Sequence, residues 1–371
     1  LDSSKLGAGA LTATANLGDL SLKSAELNIS GAAEVTAKQS ITATDAFVEA
    51  ASLAMTAETG NVEASRLTTT VAERASIVAG NSVTLDSSKL GAGALTATAS
   101  LGDLSVKDAV ITATKDGVTL TAEASDIDAS SATLTAEDEV KLTAQKSITA
   151  TDANVTSNSL SMKAETGKLD GSRLTATVAD QASVEAADSV TLANAVLTSG
   201  ALTATAKTGD LSVRNAEINA TKDGITLTAE VADIDASSAT LTAEDEVKLA
   251  AQNSITATDA SVTAASLTMT AVKGKLDGSR LTATVADQAS IVAGDSVMLD
   301  KTVLTAGALT ATATTGILSV KDAEIKATKD GVTLTAEAAD IDASGVNLSA
   351  VGAATLTAGQ DLKLATSGDA V

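Results

Sequence analysis

Histidine, cysteine, proline, tryptophan and tyrosine are all absent from this chain of 371 residues, and Phe47 is its single aromatic. Each absence excludes a class of function. Without His or Cys, zinc, haem, iron–sulfur and thiol sites lose their usual ligands. A Ser-His-Asp or Cys-His nucleophile site cannot be assembled. No disulfide can form, which leaves the redox compartment open. Missing aromatics and a pI near 4.3 argue against nucleic acid, whose binders need basic grooves and stacking rings. No apolar run reaches the ~18 residues of a spanning helix, so no membrane span is expected. The sequence starts at Leu1 without a basic-then-apolar leader, from which a mature product or an excerpt of something longer is expected.

What is present is aliphatic and hydroxylic. Hydrophobic residues make up 44% of the chain, so it is not a disordered acidic tail. Mean hydropathy is +0.21. The apolar residues are Ala, Val, Leu and Ile, interleaved with Thr and Ser. The 25 basic and 47 acidic residues leave a net charge of −22. Such a charge keeps a chain soluble and guards exposed strands against sideways pairing.

Internal repetition is the main signal. The run ITATDA at 41–46 recurs at 148–153 and 255–260, an interval of 107 residues each time. Met55, Met162 and Met269 keep the same interval. Residues 126–142 are identical to 233–249, and 167–183 are identical to 274–290. The motif GALTAT starts at Gly9, Gly93, Gly200 and Gly307, so the first interval is 84 and falls 23 short. One continuous domain over 1–371 is therefore expected. It comprises a shortened copy (1–92), two full repeats (93–199 and 200–306) and a partial repeat (307–371). The gap lies near Ser30 and Gly31, and about 23 residues should form one removable unit.

The full repeat 93–199 divides into five units of 23, 22, 22, 21 and 19 residues. Each holds three short alternating runs. In the second they are Val118–Ala122, Ile127–Ala129 and Thr133–Ala136. Alternation with period 2 and enrichment in Thr, Val and Ile are strand signals. Turns are expected at Gly102-Asp103, Asp116-Gly117 and Asp170-Gly171. No window has a 3.6-residue period, which disfavours a helical solenoid. An antiparallel sandwich would use aromatics in its core. The expected fold is all-β, a parallel β-helix with about 21 residues and three short strands per coil. Roughly 17 such coils would stack to a rod on the order of 80 Å. Leu95, Ala97, Val118, Leu120 and Ala122 should point inward, with Thr, Ser, Lys, Asp and Glu outward.

The runs GALTATATTGILSVKDAEIKA (307–327) and AATLTAGQDLKLA (353–365) resemble the haemagglutinin-type repeats of two-partner-secreted exoproteins, the filamentous haemagglutinin group. The likeness is to a LxAxxGxLxVxxAxIxA rhythm and covers most of the chain. It implies a secreted, surface-exposed, right-handed β-helix. The family's N-terminal secretion domain and any C-terminal effector region are not seen here. DEVKLTAQKSITATDANV (138–155) also resembles the rod repeats of type VI secretion spike proteins, which would need a hub domain.

Few residues invite a chemical role. The acidic trio Glu137-Asp138-Glu139 recurs at Glu244-Asp245-Glu246, where a calcium corner competes with a solvated one. The fourth copy has Val351-Gly352-Ala353 there, and the first has Gly31-Ala32 at the last two places, which favours the solvated corner. Asp126 and Asp128 lie two apart and face outward. Such a pair suits acid–base work on a sugar, but no aromatic platform would hold one. Threonine rows can order water into ice-like rows. Thr96/Thr98 and Thr119/Thr121 are followed by Lys141/Thr143, Ser161/Lys163 and Ser183/Glu185, so charges interrupt that row. Phe47 aligns with Asn154 and Ser261, an exterior or corner position.

The sequence thus points to a non-enzymatic, extracellular or cell-surface shaft with no catalytic, cofactor or metal residues. Expected partners are its own kind end to end, or further coils of a longer chain, and a host or neighbouring cell surface. Nucleic acid and a membrane span are not expected. The alternatives are adhesion to a glycan or protein through one solenoid face, a spike rod, or ice binding.

Overall fold

The computed structural model describes residues 1–364. The last seven residues of the partial repeat 307–371 lie outside the described residues. Every regular element among the described residues is a strand, and these strands pair in parallel. The fold is a parallel β-solenoid of about 17 turns at a spacing near 21 residues. Two compact units are distinguished, 1–187 and 188–371.

A turn of the first unit shows the local logic. It begins with the two-residue strand Leu104–Ser105, bends, and runs into the four-residue strand Val110–Ala113. After a second corner it continues as Val118–Ala122, and a third corner leads to Ile127–Asp128. Three walls result, which we call the short, middle and long walls. Along each strand burial alternates, as in the buried Val118, Leu120 and Ala122 against half-buried Thr119 and Thr121. One face of every strand therefore packs inside while the other meets water. Leu95, Ala97, Val118, Leu120 and Ala122 are all at most 1% exposed, as their phase in the sequence predicts.

The coil boundaries differ from the sequence expectation. In the first unit the short strands step from Val83 to Leu104, then Ile127, Ile148 and Leu169. The steps are 21, 23, 21 and 21 residues, not the 23, 22, 22, 21 and 19 of the sequence division. In the second unit Leu211 is followed by Ile234, Ile255, Leu276, Val297 and Leu318. One turn of 23 and four of 21 thus make the repeat of 107. The two extra residues sit in a corner: Ala92 pairs with Ala113 at 21, whereas Leu95 pairs with Val118 at 23. Between them lies Thr114-Lys115-Asp116-Gly117, where the previous turn has only Gly93-Ala94. Strand registers hold the core columns fixed, so length variation collects where backbone is exposed.

The shortened first copy follows the same rule. Leu20 pairs with Ile41 at 21 residues, whereas Leu104 and Ile148 are separated by two turns. What the first copy lacks is one whole 23-residue turn. At the join, Glu26–Ala37 is a single strand that spans the middle and long walls. Its register against Phe47–Ala57 shifts between Ile29 and Ala32.

Between the short and middle walls the corner never changes length. It is a tight turn, closed in the Leu104 turn by the Ala109 N–H donating to the Val106 carbonyl at 3.0 Å. The third residue of each such turn has positive φ. Nine of them lie in the first unit, from Ser3 to Arg173, and all are Ser, Asp or Arg with φ of 52–58°. Seven non-glycine residues from Asn194 to Asp322 repeat the pattern in the second unit, followed by Gly345 at 70°. Glycine is the usual occupant of such a position, because a Cβ costs energy there. Here stacking supplies the compensation. The Asp108 N–H donates to the Ser130 carbonyl of the next turn at 3.0 Å, and the Asp152 N–H to that of Ser172 at 3.1 Å. The expected Gly102-Asp103 and Asp116-Gly117 turns fall at the other two corners, and Asp170-Gly171 enters the positive-φ corner without its glycine occupying that position.

Candidate functional site

The outward side chains form columns, one residue per turn, and the corners carry most of the charge. Three outward pairs recur at the positive-φ corner. Asp45 with Arg66 and Asp152 with Arg173 belong to the first unit, and Asp259 with Arg280 to the second. Each arginine donates through Nε and Nη2 to both carboxylate oxygens of the aspartate one turn earlier, at 2.5–2.7 Å. These are fork-to-fork ion pairs, the most directional kind. The arginine hydrogen bonds are the main cause holding the Asp45, Asp152 and Asp259 carboxyls below the usual aspartate range. Slight desolvation opposes this, and charge attraction adds to it. Sequence reasoning missed these pairs. Their signal was present: the aspartates and the arginines each keep the interval of 107.

Other aspartates, at the ends of the short strands and at the corner before them, accept from the backbone. Asp126 accepts the Ser147 N–H at 2.7 Å, and Asp128 accepts the N–H and hydroxyl of Ser130 at 2.9 and 2.5 Å. The two carboxylates singled out as an acid–base pair are therefore engaged separately, Asp126 with the next turn and Asp128 within its own. Their counterparts Asp233 and Asp235 accept the Ser254 and Ser237 N–H groups in the same way. This chemistry fixes corners.

Glu137, Asp138 and Glu139 lie at the corner between the middle and long walls, and Asp138 presents its carbonyl to the N–H groups of Asn158 and Ser159. Among the described residues no group of three acidic side chains is arranged to hold a metal ion. Phe47 is half-buried on the outer face of the middle wall, between Glu26 and Thr68. Beside this wall runs a shallow open groove lined by Ala136, Thr156, Asn158 and Thr177. No titratable pair converges in it.

The long-wall column of the first unit has the register expected from sequence. Thr96 and Thr98 stack on Thr119 and Thr121, then on Lys141 and Thr143, Ser161 and Lys163, and Ser183 and Glu185. Inside, a few hydroxyls replace alanine and are satisfied across one turn. Ser88 donates to the Ala64 carbonyl at 2.6 Å and accepts the Leu67 N–H at 3.0 Å. Thr302 donates to the Gly278 carbonyl at 2.7 Å in the second unit. No helix among the described residues is long and apolar enough to cross a membrane. Compared with known proteins, the chain matches no family model, no curated protein and no solved structure.

Proposed function

We propose that this chain is shaft material of a secreted bacterial surface fibre or adhesin, a spacer that carries or displays something else. The observation behind this reading is the Asp–Arg corner pair repeated at 45/66, 152/173 and 259/280. The most directional polar chemistry on the surface joins turn to turn and recurs with the repeat. It is not gathered into one place, as binding or catalysis requires. The aliphatic interior and parallel ladder serve the same end, since each turn gains its stability from its neighbours.

Composition fits export as well. A chain without cysteine and proline has no disulfide to rearrange and no slow prolyl isomerisation, so it can cross a membrane unfolded and refold turn upon turn. The haemagglutinin-like rhythm of 307–327 supports two-partner secretion as the route.

The test is a binding screen with the full chain against glycan and cell-surface protein arrays. The shaft reading expects no saturable binding. Saturable binding that maps to one wall overturns it in favour of an adhesive module.

A further inference from the structure

We propose that the long wall of the second unit is an ice-binding face. The face is the last five strands of that wall, which begin one turn after the outward Lys248: Ser266–Ala271, Gln288–Ala293, Ala308–Ala313, Val332–Ala336 and Ala354–Ala358. Their outward residues form two columns in unbroken register. One is Thr268, Ser290, Thr310, Thr333 and Thr355. The other is Thr270, Val292, Thr312, Thr335 and Thr357. Eight of the ten are threonine and none is charged.

Other uncharged runs are shorter: in the first unit Ala54/Thr56, Ser76/Val78, Thr96/Thr98 and Thr119/Thr121 make four strands before Lys141 ends them, and only five of those eight residues are threonine. The equivalent column positions of the first unit hold Lys163 and Glu185, where the second unit has Thr270 and Val292. The two stretches are otherwise near-identical, with 167–183 and 274–290 the same residue for residue. The first copy agrees with the second unit here, with Thr56 and Val78 at the same positions, so two of the three copies keep them uncharged in a protein of net charge −22.

The hydroxyls are also unspent. Among the described residues none of these eight threonines donates its hydroxyl to a protein acceptor. Corner threonines do: Thr315 donates to the Gly294 carbonyl at 2.9 Å, and Thr166 to that of Gln145 at 2.6 Å. The wall hydroxyls are left to water. Rows lie about 4.8 Å apart and columns about 6.6 Å apart, from strand spacing and the two-residue rise of parallel strands. Both spacings are close to oxygen repeats on planes of hexagonal ice. Threonine also holds its methyl and hydroxyl stiffly, because branching at Cβ restricts χ1. A rigid lattice of hydroxyls and methyls suits a solid of ordered water. Sugar stacking would call for aromatic rings, and a cation for carboxylates, and the wall has neither.

The experiment is partition into slowly grown ice, using the full chain. Wild type should be enriched in the ice fraction. Thr312→Lys with Thr335→Lys should be excluded like a non-binding protein. Lysine is already accommodated at the equivalent wall positions Lys141 and Lys163, so this variant should fold, which circular dichroism checks. The middle wall supplies the control, since Thr263 and Thr284 also stack outward there. Thr263→Lys with Thr284→Lys should remain enriched. Exclusion of wild type from ice overturns the proposal, whatever the variants do. So does ice retention of the long-wall variant, loss of retention in the control, or capture by crystalline polysaccharide in place of ice.

Discussion

Arg173 grips Asp152 one turn below it, with Nε and Nη2 donating to the two carboxylate oxygens at 2.5 and 2.6 Å. Both residues hold positive φ, 57° and 58°, at a corner where glycine would be unstrained. Glycine there would relieve the backbone and forfeit the pair. The side chain is thus the reason to tolerate the strain.

The pair makes a signed prediction about pH. The Arg173 hydrogen bonds lower the folded-state pKa of Asp152 below its unfolded value. Its stabilisation is then present above the unfolded value, near 3.9, and is lost as pH falls through the lower folded one. Wild type should melt higher than Asp152→Asn at neutral pH. The gap should close at about pH 2, below the ordinary aspartate range. Both groups are exposed, so added salt should narrow the neutral gap too. A melting difference that persists unchanged in acid would mean the aspartate acts through something other than its charge.

Leu120 and Thr121 test the strand phase. Leu120 is fully buried, with Ala97 and Leu142 stacked on either side, and Thr121 beside it faces out between Thr98 and Thr143. Leu120→Asp should cost several kcal/mol, roughly the penalty for a buried polar group without a partner. Thr121→Asp should stay within about 0.5 kcal/mol, as surface changes do. Denaturant titration of both variants is the measurement, and equal losses would contradict the assigned faces.

The natural gap in the first copy defines a clean deletion. Removing 115–137 joins Thr114 to Asp138, the counterpart of the native Ser30-Gly31 junction. The product should keep its strand-type circular dichroism and melt cooperatively, because every remaining core column still stacks like on like. Removing 115–126, about half a turn, should instead abolish the cooperative melt. Survival of the half-turn deletion would show that register is not what holds the coils.

Most of the architecture was legible, since period-2 alternation gave the walls and the interval of 107 gave the stacking. Thr96 over Thr119 followed from counting alone. The coil boundaries were not legible, because corner length varies independently of strand register; Thr114–Gly117 replaces Gly93-Ala94 without disturbing Ala113 or Val118. The positive-φ corners were hidden for a different reason. Glycine marks such turns in most sequences, and here Ser131 and Asp152 occupy them, each donating its N–H to a carbonyl of the next turn. The threonine array of the second unit was readable and overlooked, since the first full repeat, with Lys163 and Glu185, does not represent the next.

Two glycines on one stretch separate close approach from mere tolerance. A Cβ on Gly117 would sit 2.5 Å from the Glu139 carbonyl oxygen of the following turn, and Gly224 faces that of Glu246 at the same distance. The obstacle is backbone, held by the ladder, so it cannot swing aside as a side chain would. Gly91 lies within a strand, and its nearest obstacle, the Thr69 carbonyl oxygen, is 3.3 Å away. Gly117→Ala should therefore destabilise by about 1–3 kcal/mol, the usual cost of overpacking. Gly91→Ala should cost clearly less, since a shift of a few tenths of an ångström relieves its contact and alanine gives up less freedom on entering a strand. Chemical denaturation of the two single variants measures this. Equal stability of Gly117→Ala and wild type would mean that the wide corner yields, and that its 23-residue turn is set by something other than the contact between Gly117 and Glu139.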